Sequence, residues 1–576
     1  MRSSQDPRSI GVGLSRREVI KRGAGVTLAA LAGPQVLAAC APGTTAPPTQ
    51  SQAAEQAVKG GTITEGFTTG VAGLNPVLFA GTVDLKVQNL LFSSLLVPGI
   101  NGNPSPLLAQ AMPKLSADGR TYTFELRKDA KWTDGKPVSA DDVAYTYQLM
   151  SHADYKDVKS PFRSELSALV ADVKATDPTT VVITLKQPSA SFLTNHSQRL
   201  IVPKHVLGAL APAAFNTDNF TRAPAVTCGP FKFQELVSGD HITCVRNVDY
   251  FRGAPNLERY IGKFVSADNV IQQLKTGGID VYIANTFASY AELAASPNLN
   301  FQTFDAPGPH FYYNLDPKRP SYRIFSSKAV RKALIYAMDR PGAVKAVLFG
   351  YGSVHKSSGV YPPYSFANNP EGKPDYPYDK KKAEDLLDAD GWKMGAGGVR
   401  QKDGAPLKLE VVTSAESKEW QGVMSVAQQN WKDIGVDVSV RLAPFAQMTA
   451  DIMINHSFDM TLSLSPSFFS PDPDIAARLQ SRNAVPGGSN WGNYANPQLD
   501  QLLDQGATEA DQAKRKEIYF KVQDILNEEV PSWSPQFWKR AWVANKRVKN
   551  MVAGTQIGVY GYVGTIIHQA WVTDGK

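Results

Sequence analysis

The chain has 576 residues, a formal charge of +7 and 43% hydrophobic residues. That length is too large for one compact core and predicts two or three lobes. Six basic side chains and two acidic ones (Asp6, Glu18) fall in the first 39 residues. Roughly +3 therefore remains for the rest, an ordinary value that points away from nucleic acid as a partner.

The chain opens on an export pattern. Ser15-Arg16-Arg17-Glu18-Val19-Ile20-Lys21 is a twin-arginine motif, and a weakly apolar stretch follows from Gly23 to Ala39. That stretch is too short to span a bilayer, which takes roughly 20 apolar residues. A basic segment, an apolar core and small residues describe a signal peptide over 1–39. Leu37-Ala38-Ala39-Cys40 resembles a lipobox, in which Cys40 takes a lipid and becomes the new N-terminus. Residues 40–58 hold almost no large apolar side chain and predict a flexible tether.

Gly60 to Phe67 reads as the first strand, and Asp84 to Leu96 as a helix with Val87, Leu90, Leu91 and Leu95 on one face. Tyr122 to Arg127 alternates as a half-buried strand. Ser139 predicts a helix cap, with Asp142 placed for a capping box. Gly229–Leu236 and His241–Asn247 read as two strands around a turn. That register sets Cys244 opposite Phe233 and away from Cys228, so two free thiols are expected rather than a disulfide. Val330, Ala333, Leu334, Ala337 and Met338 give a helix with one buried face, and Pro341 begins the next. Asp379 predicts a cap for a helix ending at Gly391. Val423, Val426, Ala427, Trp431 and Ile434 mark another helix, stopped by Gly435. Val436 to Leu442 alternates as a strand. Pro497 starts a helix, and Ile518, Val522, Ile525 and Leu526 line a last long one. Strands alternating with helices predict mixed α/β layers.

Signatures of chemistry are missing. The eight histidines have no metal-ligand spacing, and there is no HExxH, CxxC, Walker loop or G-x-S-x-G elbow. No metal, no cofactor and no catalytic residue is expected, and the chain reads as a non-enzyme.

The run YTFELRKDAKWTDGKPVSADDVAYTY resembles the signature of the oligopeptide/dipeptide/nickel-binding family of solute-binding proteins from ABC importers. Further pieces occur in the family's order. They include Val181–Pro188, Ile201–His205, Gly229–Lys232, Arg246–Pro255, Leu274–Val281, Val330–Arg340 and Asn496–Asp500. The resemblance implies a two-lobed periplasmic-binding-protein clamp of the large type II class, with an extra subdomain. Lobe one would comprise 59–95, 187–307 and 530–576, the extra subdomain 96–186, and lobe two 308–529. A hinge is expected near Asp305–Phe311 and Val530–Ser534. The implied protein is a monomer outside the cytoplasmic membrane, held there through Cys40. It would deliver a small solute to importer membrane subunits, with ATPase subunits on separate chains. A ligand-sensing accessory of a membrane receptor is an alternative with the same fold.

The same resemblance bears on the solute. Peptide-binding members carry an Asp in a G-W-x-x-D-x-x-D-P stretch that pairs with the peptide α-ammonium. Matching Asp472-Pro473 to the final D-P puts Phe469 in the acid's place. An oligosaccharide or other non-standard solute is therefore slightly favoured over a di- or oligopeptide, with Asp472 or Asp474 as substitute acids if the alignment is gapped. Aromatic rings suit sugar faces. The expected ligand-binding residues are Phe67, Phe468, Phe469, Asp472, Asn490, Trp491, Trp538 and Tyr560.

Overall fold

Alternating burial along TITEGF makes Thr62–Phe67 a strand, β1. Here the computed structural model describes residues 56–79, 81–99, 103–284, 286–463, 472–485, 488–551 and 567–575. The export signal, Cys40 and most of the tether lie outside these residues. Helix α1 spans Thr82–Leu91 and stops short of the expected end at Leu96. Its terminator comes from far along the chain. The N–H groups of Cys228 and Gly229 both donate to the Leu91 carbonyl, at 3.0 and 2.8 Å. Gly229 lies so close to Leu90 and Leu91 that a β-carbon would overlap their main chain.

Strands β2 (Lys114–Leu115), β3 (Thr121–Glu125), β4 (Val170–Asp177) and β5 (Thr180–Leu185) make a separate sheet in the order β2-β3-β5-β4. Helix α2 (Ala140–Ser151) begins with the expected capping box: Ser139 and Asp142 each bond the other's main chain. Trp132 Nε1–H also donates to the buried Asp142 carboxylate, at 3.1 Å. One cap thus ties a helix start to a core indole.

The next strands are β6 (Phe231–Val237), β7 (His241–Arg246), β8 (Arg259–Phe264), β9 (Val281–Ala284) and β10 (Leu299–Ala306). Phe233 pairs with Cys244, and Cys228 and Cys244 are buried and free. Strand β11 (His310–Tyr313) follows, then α3 (Lys328–Ala337), capped by Ser327, and α4 (Arg340–Val347), capped by Asp339 with Pro341 in its first turn. A short β12 (Gly352–Ser353) precedes α5 (Lys380–Ala389), β13 (Lys408–Ser414), α6 (Lys418–Lys432), β14 (Asp437–Ala443) and β15 (Met460–Ser463). Helices α7 (Pro497–Thr508) and α8 (Gln512–Glu529) lead to β16 (Ser532–Trp533) and β17 (Phe537–Asn545).

Two mixed sheets result. The first has eight strands in the order β10-β17-β9-β1-β8-β7-β6, with β12 also on β17; the second runs β14-β13-β15-β11-β16. β1 is parallel to β8 and β9, while β17 is antiparallel to β9 and β10. In the second sheet β13 is parallel to β14 and β15, and β11 antiparallel to β15 and β16. Residues 57–576 form one compact unit. Among the described residues no helix is long and apolar enough to cross a membrane.

Candidate ligand-binding cleft

Strand directions bring particular ends together. The carboxyl ends of β1, β9 and β10 share one edge of the first sheet with the amino end of β17. The carboxyl ends of β13, β15 and β16 share one edge of the second with the amino end of β11. The chain steps between these edges twice, from Ala306 to His310 and from Trp533 to Phe537. Crevices at the carboxyl ends of sheet strands are the usual ligand sites of α/β folds.

The two crossings are packed side by side. Gly308 has no β-carbon, and one added there would overlap the Gln536 carbonyl. Ser534 N–H donates to the Ser358 carbonyl at 2.8 Å, and its hydroxyl to the Gln536 carbonyl at 2.9 Å. The second crossing is launched by Val530, whose φ of 48° ends α8 in the left-handed region. That strained turn is held by Arg331 of α3, which donates to the carbonyls of Glu529 and Val530 at 3.0 and 3.1 Å.

Polar side chains gather at these crossings without partners. Both ring nitrogens of His310, both amide atoms of Gln536, the hydroxyls of Ser463 and Ser532, and Trp538 Nε1 have no hydrogen bond. All five residues are buried. Each stranded group costs about 1–3 kcal/mol. The His310 ring lies beside the main chain of Gly308 and Gly359 without a well-formed bond, and burial pushes its pKa down to about 3. It is a neutral imidazole at ordinary pH. The charges closest in sequence, Asp305 and Lys539, neutralise each other at 2.8 Å.

The expected ligand residues divide. Phe67 and Trp538 stand at the strand ends of the first sheet. Phe67 lies over Gly262, with Lys86 Nζ 5.4 Å from its ring centre. Lys86 in turn pairs with Glu65, which also accepts a bond from Tyr260. Trp538 meets Phe287 edge-on at 5.4 Å. Asp472, Asn490 and Trp491 are engaged by the protein itself. Asp472 accepts two bonds from Arg515, at 2.7 and 2.8 Å, with both side chains almost wholly buried. The pair borders a cavity of about 290 Å³ walled in part by Leu115, Tyr122, Leu193 and Phe366. Asn490 donates to the carbonyls of Leu479, Gln480 and Tyr494 and accepts from the Tyr494 N–H, which staples its own loop. One face of Trp491 is covered by Arg478 at 4.1 Å, and Tyr312 packs against its edge. Phe468, Phe469 and Tyr560 lie outside the described residues. His310 and Gln536 were not anticipated; the available signal was a polar residue inside an otherwise apolar crossing, in GPHFYYN and SPQFW.

Comparisons with known proteins agree with this architecture. The family described as "Bacterial extracellular solute-binding proteins, family 5 Middle" matches residues 103–485. The oligopeptide-binding protein AppA of Bacillus subtilis is 27% identical over 504 residues, covering 86% of this chain and 89% of the relative. The solved structure of that protein in complex with a nonapeptide superposes with a TM-score of 0.75 at 25% identity, covering 90% of this chain and all of the other. NikZ of Campylobacter jejuni, solved with Ni(L-His), gives 0.72 at 25% identity, covering 88% and 99%. With the family matched over residues 103–485 and the fold shared over 90% of the chain, this chain belongs to the bacterial extracellular solute-binding proteins of family 5, the solute-capturing components of ABC importers.

Proposed function

We propose that this protein captures peptides between two hinged lobes and delivers them to the membrane subunits of its importer, whose ATPase subunits are separate chains. The observation that carries the reading is the pair of facing strand-end edges joined by two three-residue crossings, lined by polar side chains that lack partners. The two crossings serve as the hinge. Lobe one takes 59–95, 187–307 and 530–576, lobe two 308–529, and the extra subdomain 96–186. Cargo must touch both lobes, because only differential affinity shifts a hinge equilibrium. Phe67 and Trp538 belong to the contact surface, together with Phe468, Phe469 and Tyr560. Arg16 and Arg17 direct export, and a lipid on Cys40 holds the monomer at the outer face of the membrane. Peptide cargo is supported by the relative AppA, solved with a nonapeptide.

A second reading, an oligosaccharide or another solute without an α-ammonium, is favoured by one observation. Arg515 already neutralises Asp472, the acid that could replace the one missing at Phe469. Thermal unfolding of the protein with peptides of two to nine residues and with oligosaccharides separates the two. Cargo at 100 times its dissociation constant adds about 2.7 kcal/mol. Stabilisation by peptides is the expected result; stabilisation by sugars alone would replace it with the second reading.

A further inference from the structure

Among the described residues, none that lines the cavity beside Asp472 and Arg515 belongs to either crossing. Its walls come from parts of the chain that a hinge would separate. Leu115 and Tyr122 pair directly across β2 and β3, so both side chains stand on one face of the small sheet. Leu193 comes from the turn after that sheet, and Phe366 and Arg515 from the segment assigned to lobe two. Tyr122 is held in place. Its hydroxyl donates to the Ser189 carbonyl at 3.1 Å, and its ring packs on Phe192 at 4.7 Å. Leu115 is 45% exposed and stands at the mouth.

The lining restricts what can enter. Among the described residues lining it, only Asp472 and Arg515 are charged, and they neutralise each other. An ionic guest would bring a charge with no counter-charge and pay its desolvation. The Asp472 carboxylate accepts from Arg515 twice, from the Thr194 hydroxyl at 3.3 Å and from the Asp474 N–H at 2.9 Å, which fills its four lone-pair sites. Arg515 commits three of its five N–H groups, two to Asp472 and one to the Gly506 carbonyl. The polar end therefore donates and does not accept. The other walls are apolar or aromatic: Leu115, Tyr122, Leu193 and Phe366. A dry apolar cavity of about 150 Å³ takes benzene. A volume of about 290 Å³ admits a ring with a short substituent.

We propose that this cavity is a second ligand site, for a small neutral molecule of the phenol class, whose occupancy holds the extra subdomain against lobe two and favours the closed form. The ring lies among Tyr122, Leu193 and Phe366, and the hydroxyl oxygen accepts from Arg515. A site walled by both parts is complete only when they are together, so its guest shifts the equilibrium toward closure. The coupling is reciprocal: guest and cargo tighten each other's binding by one factor. That coupling rests on the hinge reading above; the chemistry of the cavity does not.

Calorimetry on the full protein tests this, with 4-ethylphenol, ethylbenzene and benzoate as guests and a random-sequence pentapeptide pool as cargo. 4-Ethylphenol should bind, and ethylbenzene, which lacks the hydroxyl, should bind about tenfold more weakly. Saturating 4-ethylphenol should tighten pool binding about fivefold, and the pool should tighten 4-ethylphenol binding by the same factor. Leu115→Trp fills the mouth. It should weaken 4-ethylphenol about tenfold, abolish the coupling and leave the affinity for the pool unchanged. If that variant fails to fold, Ala510→Leu, at an exposed lining position on the lobe-two wall, takes its place with the same expectation. No binding of 4-ethylphenol by the wild type, or equal binding by the filled variant, overturns the site. Tighter binding of benzoate than of 4-ethylphenol overturns the neutral class. Competition between 4-ethylphenol and the pool overturns the proposal by assigning the cavity to cargo, and guest binding that leaves pool affinity unmoved overturns the link to closure. A pool that does not bind at all, with 4-ethylphenol still lost in the filled variant, overturns the peptide reading and supports the site.

Discussion

The Asp472–Arg515 pair shows how a single residue's neighbours decide what it can do. Arg515 grips both carboxylate oxygens and also donates to the Gly506 carbonyl at 2.7 Å. Removing one member of a buried pair leaves an uncompensated charge, which typically costs 3–5 kcal/mol. Arg515→Met should destabilise the protein by about that amount in urea unfolding, and adding Asp472→Asn should recover much of the loss. His310 supplies a pH test. Its pKa in the folded state lies below the ordinary histidine value of about 6.5, at about 3. Its contribution is therefore fully present above pH ~6.5 and is lost as pH falls through that window. His310→Phe should flatten the acid limb of the stability curve by up to about 1.4 kcal/mol per pH unit there. Asp474 has the opposite sign. Burial and the adjacent Asp472 raise its pKa, so stability falls as pH rises above the ordinary carboxylate range. At this scale the sequence reveals residue types and hides partners. Asp472 and Arg515 stand 43 positions apart, and nothing in either stretch announces that they meet.

Elements were the most legible level, wherever their signals are local. Ser139 with Asp142, Asp379 before α5, Asn496-Pro497 before α7 and Gly435 after α6 all act within a turn of the helix they start or stop. Ser139→Ala should cost about 1 kcal/mol in unfolding free energy, since it removes one cap and unseats Asp142. Helix α1 was read five residues too long because its stop is a pair of N–H groups from residues 228 and 229. No window around Leu91 contains that information. Loop elements follow the same logic at the crossings. Gly308→Ala places a β-carbon on the Gln536 carbonyl, where only main chain can yield. Overpacking of this kind costs about 1–3 kcal/mol, visible as a lowered unfolding midpoint.

Across the whole molecule, the short helical turn Phe192–His196 meets the second-sheet side away from the crossings. The Ser191 hydroxyl donates to Asp474 at 3.1 Å, Thr194 to Asp472 at 3.3 Å, and the Ala190 N–H to the Ala507 carbonyl at 2.8 Å. The turn itself is fixed to the first-sheet side through Ile201 N–H on the Ser93 carbonyl and Leu96 N–H on the Ser197 carbonyl. These contacts must break if the crossings act as a hinge. Ser191→Ala with Thr194→Val removes two side-chain bonds worth about 1–3 kcal/mol together. The double variant should show a larger radius of gyration in solution scattering and faster cargo release; an unchanged radius would mean that this contact does not hold the lobes closed. The α/β class was readable from alternating strands and helices, but the order of strands was not, because pairing is settled by partners far along the chain. That order has a consequence for how the protein is made. Strand β17, from the last part of the chain, sits between β9 and β10, which are synthesised much earlier. Until it emerges, those two strands present open edges, exposed to mispairing. The second sheet, drawn entirely from residues between His310 and Trp533, can finish first. Assembly therefore closes with a strand insertion that brings Trp538 to its place, and a chain cut short after β16 would carry a complete second sheet but lack the strand that joins β9 to β10.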